Sequence, residues 1–273
     1  MKPTTRRRLS KLGQRLASPT TNLVAVAVLA GITPAIAHEF LGHGSVCLAV
    51  GGHPTVVSTS MFWCTTPEPV IAVGGPAMNL LLGLTCLILL RRARPTNRNV
   101  RLYLALVTAF AWFWEGGYAV QAMLFRAGDL YDVFAATSGP PGPAVSAAIA
   151  TAGAALYVLT ARLTRTSIRG IADTELPAPR ISRVAWISAT AAVAIAAARS
   201  PLGLQNFVNT VMSIGVAGLP LLLAPPCPDP SQSHSKHPRA ASTALPATSL
   251  AAFAAFAAFA AFACTLGHGL VWQ

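Results

Sequence analysis

Seven apolar runs dominate the chain, at residues 22–50, 70–90, 102–125, 143–161, 184–198, 207–224 and 245–266. A helix needs about 20 such residues to cross a bilayer, and all but the fifth run come close to or exceed that length. Of the 273 residues 53% are hydrophobic and only 10% charged. A soluble domain carries roughly a quarter charged residues, so a water-soluble globular enzyme is excluded. The net charge is +12. Nucleic-acid binding would need those cations on one soluble face, whereas here they form short clusters between apolar runs, so no nucleic-acid partner is expected.

The clusters alternate. Segment 1–21 holds six Lys and Arg, loop 51–69 none, loop 91–101 five, loop 126–142 one, loop 162–183 five, loop 199–206 one and loop 225–244 two. Cytoplasmic loops accumulate Lys and Arg, so the expected fold is an all-α, polytopic bundle of about seven spans. It is expected to lie in the cell (inner) membrane with its N-terminus cytoplasmic and the lipid bilayer as a constant partner.

Five segments follow: a basic N-terminal stretch, 1–21; core spans, 22–136; further spans, 137–224; a Pro- and Ser-rich loop, 225–246; and a low-complexity C-terminal span, 247–273. The basic start, the apolar stretch and Ala35-Ile36-Ala37 together imitate a cleaved export signal. Because the apolar run continues to Val50, an uncleaved first span is expected. Phe253, Phe256, Phe259 and Phe262 recur every third residue, which winds around a helix, so they are read as lipid-facing filler. The five cysteines form no C-x-x-C pair, and neither a disulfide framework nor a cysteine metal site is expected.

Ionisable groups inside a span are costly and mark function by default. Eight acids occur in all, and Glu39, Glu115, Asp129 and Asp132 fall within or near the first and third runs. Glu39 belongs to His38-Glu39-Phe40-Leu41-Gly42-His43, an H-E-x-x-x-H sequence. In the familiar H-E-x-x-H helix, histidines four apart share a face and the Glu activates water at the metal. A spacing of five splays the rings by about 140° on a regular α-helix. A one-residue π-bulge would bring them back together, and Gly42 and Gly44 give the backbone room for one. A closely similar H-E-L-L-G-H motif serves the soluble metallopeptidase dipeptidyl peptidase III. Without a metal, the same residues would be hydrogen-bonding partners between spans.

About thirty residues on, Gly74-Gly75-Pro76-Ala77-Met78-Asn79 runs into Leu80-Leu81-Leu82. Over roughly residues 22–135 the chain resembles the site-2 proteases, intramembrane zinc metallopeptidases whose H-E-x-x-H helix precedes a G-P-x-x-N-L-L stretch and whose third ligand is a later Asp. The resemblance implies Zn²⁺ held by His38, His43 and Asp129, with Glu115 as rival third ligand. It implies Glu39 as catalytic base, Asn79 as a residue holding substrate extended, and a transmembrane protein as substrate. The sequence departs from the family in the extra residue of the zinc motif and in the Gly128-Asp129 order. It also departs in direction, because the first span runs outward while the family's zinc helix commonly runs inward. Two other functions stay open: an inactive relative that binds metal without turnover, and a proton-coupled transporter using His38, Glu39 and Glu115 as a relay.

Overall fold

The computed structural model describes residues 19–223 and 248–271. The chain there is mostly helical. Helix α1 (Pro19–Ala35) passes into a π-helical segment, Ile36–His43, and then into α2 (Gly44–Ala49). A hairpin of β1 (Pro54–Val57) and β2 (Phe62–Cys64) follows. Next come α3 (Val70–Ile88), α4 (Arg98–Phe125), α5 (Asp129–Thr137), α6 (Pro143–Ile171), α7 (Ala178–Ala197) and α8 (Gly203–Thr210). Helix α9 (Thr248–Cys264) leads to β3 (Leu270–Val271).

Residue pairings give the helix directions. Asn79 meets Glu115, Leu80 meets Trp112 and Gly83 meets Thr108, so α3 and α4 run antiparallel. Gly116 lies against Gly153 and Arg101 reaches Gly170, so α4 and α6 are antiparallel as well. Gly31 packs on Ala189 and Thr20 bonds Arg180, so α1 and α7 run parallel. Helix α4 is the axis. Phe110, Phe113 and Leu106 are fully buried in it, with α1, α3 and α6 around them.

Four helices are long and apolar enough to cross a membrane: Pro19–Ala49, Val70–Ala93, Pro143–Ile171 and Ala178–Ala197. The other three expected spans differ for distinct reasons. Helix α4 has the length, but its centre carries Trp112, Trp114, Glu115 and Tyr118, which an interior helix shielded by its neighbours can accommodate. The run 207–224 is broken into α8, a π turn at Val211–Val216 and a 3₁₀ turn at Leu219–Leu221, around Gly215, Gly218 and Pro220. Helix α9 has 17 residues.

Three expectations need correction. The chain is not purely helical, since β2, β1 and β3 form a three-stranded antiparallel sheet in that order. Cys47 and Cys64 form a disulfide. Seventeen residues separate them, and it is the hairpin, not a spacing motif, that carries β2 back to the end of the first long helix. The Phe repeat is not all lipid-facing, because Phe262 is buried while Phe256 is exposed. A period of three drifts about 60° per step, so part of the series reaches the inner face. The Pro- and Ser-rich loop 225–246 and the first 18 residues lie outside the described ones.

Candidate metal centre

Pro34 lacks the N–H that would bond the carbonyl of Ala30, and two residues later the helix widens into its π segment. At its end the Gly44 N–H donates to the Glu39 carbonyl, a bond spanning five residues. The wide turn puts His38 and His43 on one side, their ring centroids 4.8 Å apart and the rings nearly perpendicular. Gly42 makes this possible, because a Cβ there would stand 2.6 Å from the Gly74 carbonyl oxygen and from Gly75 Cα. The two glycine surfaces let the π turn lie directly on α3.

Each ring is tied at Nδ1. His43 Nδ1–H donates to the Ile71 carbonyl at 2.7 Å, and His38 Nδ1–H donates to Glu115 Oε1 at 3.0 Å. Both imidazoles therefore keep an Nε2 lone pair free, the tautomer a metal ligand needs. Flat neighbours fix the ring planes. His38 stacks on Trp114 at 4.6 Å and His43 on Phe62 at 5.6 Å.

The carboxylate arrives by a reversal of the chain. Arg126 ends α4 at φ 55° and Gly128 follows at φ 94°, both left-handed, and the chain turns back into α5. The Asp129 N–H donates to Tyr118 Oη at 2.8 Å, which sets the depth of its side chain. A Cβ on Gly128 would collide with that hydroxyl. Asp129 Oδ2 lies 3.5 Å from His38 Nε2 and 3.4 Å from His43 Nε2. Ligands bound at about 2.0–2.1 Å in a tetrahedron are separated by roughly 3.3–3.4 Å. His38, His43 and Asp129 thus could hold a metal ion.

Two further features suit such an ion. Gly75 faces both Nε2 atoms, and a Cβ there would occupy the space into which the lone pairs point. The donor set is two neutral imidazoles and one carboxylate, with a cavity of about 660 Å³ open on the remaining side. Structural metal sites close all four positions, whereas catalytic ones leave one to water or substrate. Glu39, buried and next to His38, lines this cavity.

Glu115 and Asn79 stand behind the centre. Glu115 Oε1 accepts from His38 and from Asn79 Nδ2, the latter at 2.8 Å. Glu115 therefore orients a ligand, and the third ligand position is filled by Asp129. Asn79 is completely buried and does not line the cavity, so its side chain supports Glu115 and has no free face for substrate. Asp132 is not part of the cluster of possible ligands. Removing an outer partner of this kind costs metal affinity roughly 10- to 100-fold. Glu115→Ala is expected to weaken metal binding by about that factor in a competition titration, with Glu115→Gln losing less.

Residue-by-residue reading missed Trp114, Tyr118, Phe62, Gly75 and the Ile71 carbonyl. The first two were signalled by an aromatic cluster around a membrane acid, 112–118. The others depend on how the hairpin and α3 are packed, which no local pattern encodes. Comparison with protein-family models, with curated proteins and with solved structures finds no match to the chain.

Proposed function

We propose that this chain is a membrane-embedded zinc metallopeptidase that hydrolyses peptide bonds of membrane proteins. The observation that carries the reading is the pair of imidazoles with both Nδ1 groups committed and both Nε2 atoms turned to Asp129, beside a cavity that Glu39 lines. Imidazole and carboxylate donors in a four-coordinate arrangement favour zinc among common ions. Zinc bound there would supply Lewis-acid polarisation and bring the pKa of a coordinated water towards about 7.

The chain's own residues do the rest. Glu39 accepts the proton from the attacking water and returns it to the leaving amine. His38 and His43 stay neutral because their Nδ1 protons are held by Glu115 and the Ile71 carbonyl. A substrate helix hides its carbonyls in internal hydrogen bonds, so the reacting segment has to be unwound before it is cut. The cavity, at about 660 Å³, has room for a few extended residues.

Seven spans remain our proposed count, and a parity argument supports it. His43, which precedes α3, and Asp129, which follows α4, share one centre. A chain that leaves by α3 has to return by α4, so α4 counts as a crossing although its hydropathy is modest. β3 pairs with β1, so the number of crossings between residues 57 and 270 is even. Counting α3, α4, α6, α7, the segment 203–221 and α9 gives six, and the first long helix makes seven. Location in the cell membrane with a cytoplasmic N-terminus follows from the alternation of basic loops.

Glu39→Gln tests the catalytic part. The variant is expected to retain about one zinc per chain while cleavage of a membrane-protein substrate falls roughly 10²- to 10⁴-fold. Equal cleavage by wild type and variant would exclude Glu39 as the base. Stoichiometric metal with no cleavage by wild type would leave a metal-binding protein instead.

A further inference from the structure

We propose that the metal centre opens on the outer side of the membrane, so that its substrates are polypeptide segments presented there, at the outer end of an apolar span. The inference rests on the metallopeptidase reading for the word substrate, but its geometry is independent of it. Every element carrying the site holds it near the same end of the bundle. His43 lies six residues before the end of α2 at Ala49, roughly 9 Å along the helix. Gly75 lies five residues after the start of α3, roughly 8 Å, and Glu115 ten before the end of α4, roughly 15 Å. Asp129 lies just beyond that end.

The loops at that end are the ones that lack cations. The cavity is walled by Thr66 and Glu68 of loop 51–69, by Ala127 and Gly128 after α4, and by Gln205 and Asn209 of α8. Those three connections hold no, one and one Lys or Arg, whereas loops 91–101 and 162–183 at the opposite end hold five each. Among the described residues none from the two basic loops lines the cavity. Lys and Arg collect on the cytoplasmic side, so the cavity mouth is on the other.

A chemically separate observation agrees. The Cys47–Cys64 disulfide stands on this rim, with Cys64 in the cavity wall. Disulfides persist outside the reducing cytosol. The substrate class follows from what adjoins the cavity, an apolar groove of about 400 Å³ that shares Trp114, Tyr118 and Met212 with it. Its remaining walls include Leu124, Phe125 and Val158, all well exposed. A span could lie along these side chains while its unwound outer end reaches the polar cavity.

The test uses the full chain in oriented membrane vesicles. With Cys86, Cys227 and Cys264 changed to Ala, Glu68→Cys and Arg92→Cys are each treated with a membrane-impermeant maleimide. Labelling of Glu68→Cys in right-side-out vesicles and of Arg92→Cys only in inside-out ones is expected. The opposite pattern overturns the proposal. A zinc-independent label of this kind reports orientation even if no peptidase activity exists. The substrate arm uses a single-span reporter carrying one Gly- and Ser-rich segment at its outer or its inner end. Cleavage of the outer version, absent with Glu39→Gln, supports the proposal, and cleavage confined to the inner version overturns it. If neither is cut while the labels fall as expected, the peptidase reading fails and the outward opening stands.

Discussion

Gly75→Ala is expected to abolish metal binding without touching a ligand. The added methyl would sit against His38 Nε2 and His43 Nε2, in the space their lone pairs address. The rings cannot retreat, since Trp114 and Phe62 stack on them and Glu115 and the Ile71 carbonyl hold their Nδ1 atoms. Nor can α3 back away easily, with Gly74 and Gly42 already in backbone contact. Helix propensity, by contrast, favours Ala over Gly by up to about 1 kcal/mol, so the fold itself should tolerate the change. The expected result is a fall from about one zinc per chain to almost none, with unchanged circular dichroism. That exceeds the roughly 10- to 100-fold effect of losing an outer partner. Full zinc retention would show that the metal does not lie where the Nε2 atoms converge.

Changing the length of the π turn should have opposite effects in opposite directions. Inserting one Ala after Leu41 rotates His43 by a further 100° or so relative to His38, and metal binding should be lost. Deleting Leu41 leaves His-Glu-Phe-Gly-His, an H-E-x-x-H sequence that brings the rings together on an ordinary α-helix. Leu41 is exposed and makes no contact at the centre, so its removal costs the site little. π turns are local one-residue expansions of α-helices, and the deletion reverses one. Metal analysis of the two variants should give near-zero and near-wild-type occupancy. Equal loss in both would mean that the π turn itself, rather than the convergence it produces, is what the site requires.

Much of the site could be read from residue identity because charges in spans are few. Glu39, Glu115 and Asp129 stood out among eight acids, and the five-residue histidine spacing itself called for a widened turn. Roles were harder to read than identities. Whether Glu115 or Asp129 reached the histidines depended on the left-handed pair Arg126 and Gly128, which reverses the chain and brings Asp129 back to Tyr118. Position along the sequence cannot distinguish a ligand from the carboxylate that orients it. Asn79 shows the same limit, since its amide faces Glu115 and not the cavity. The hairpin was hidden because 51–69 is short, irregular and interrupted by a bulge between Pro54 and Val56. Its third strand comes from the far end of the chain. Helix boundaries were legible where apolarity alone decides, as in α3 and α6, and less so in α4, whose interior position relaxes the demand for apolar side chains.

The central claim is that two imidazoles five residues apart meet one ion together with Asp129. X-ray absorption at the zinc edge of the full-length protein, loaded with one equivalent of metal, tests it directly. The account predicts four light-atom ligands at about 2.0–2.1 Å, with the multiple-scattering signature of two imidazoles, falling to one in His43→Ala. A first shell containing sulfur, or one without imidazole scattering, would contradict it.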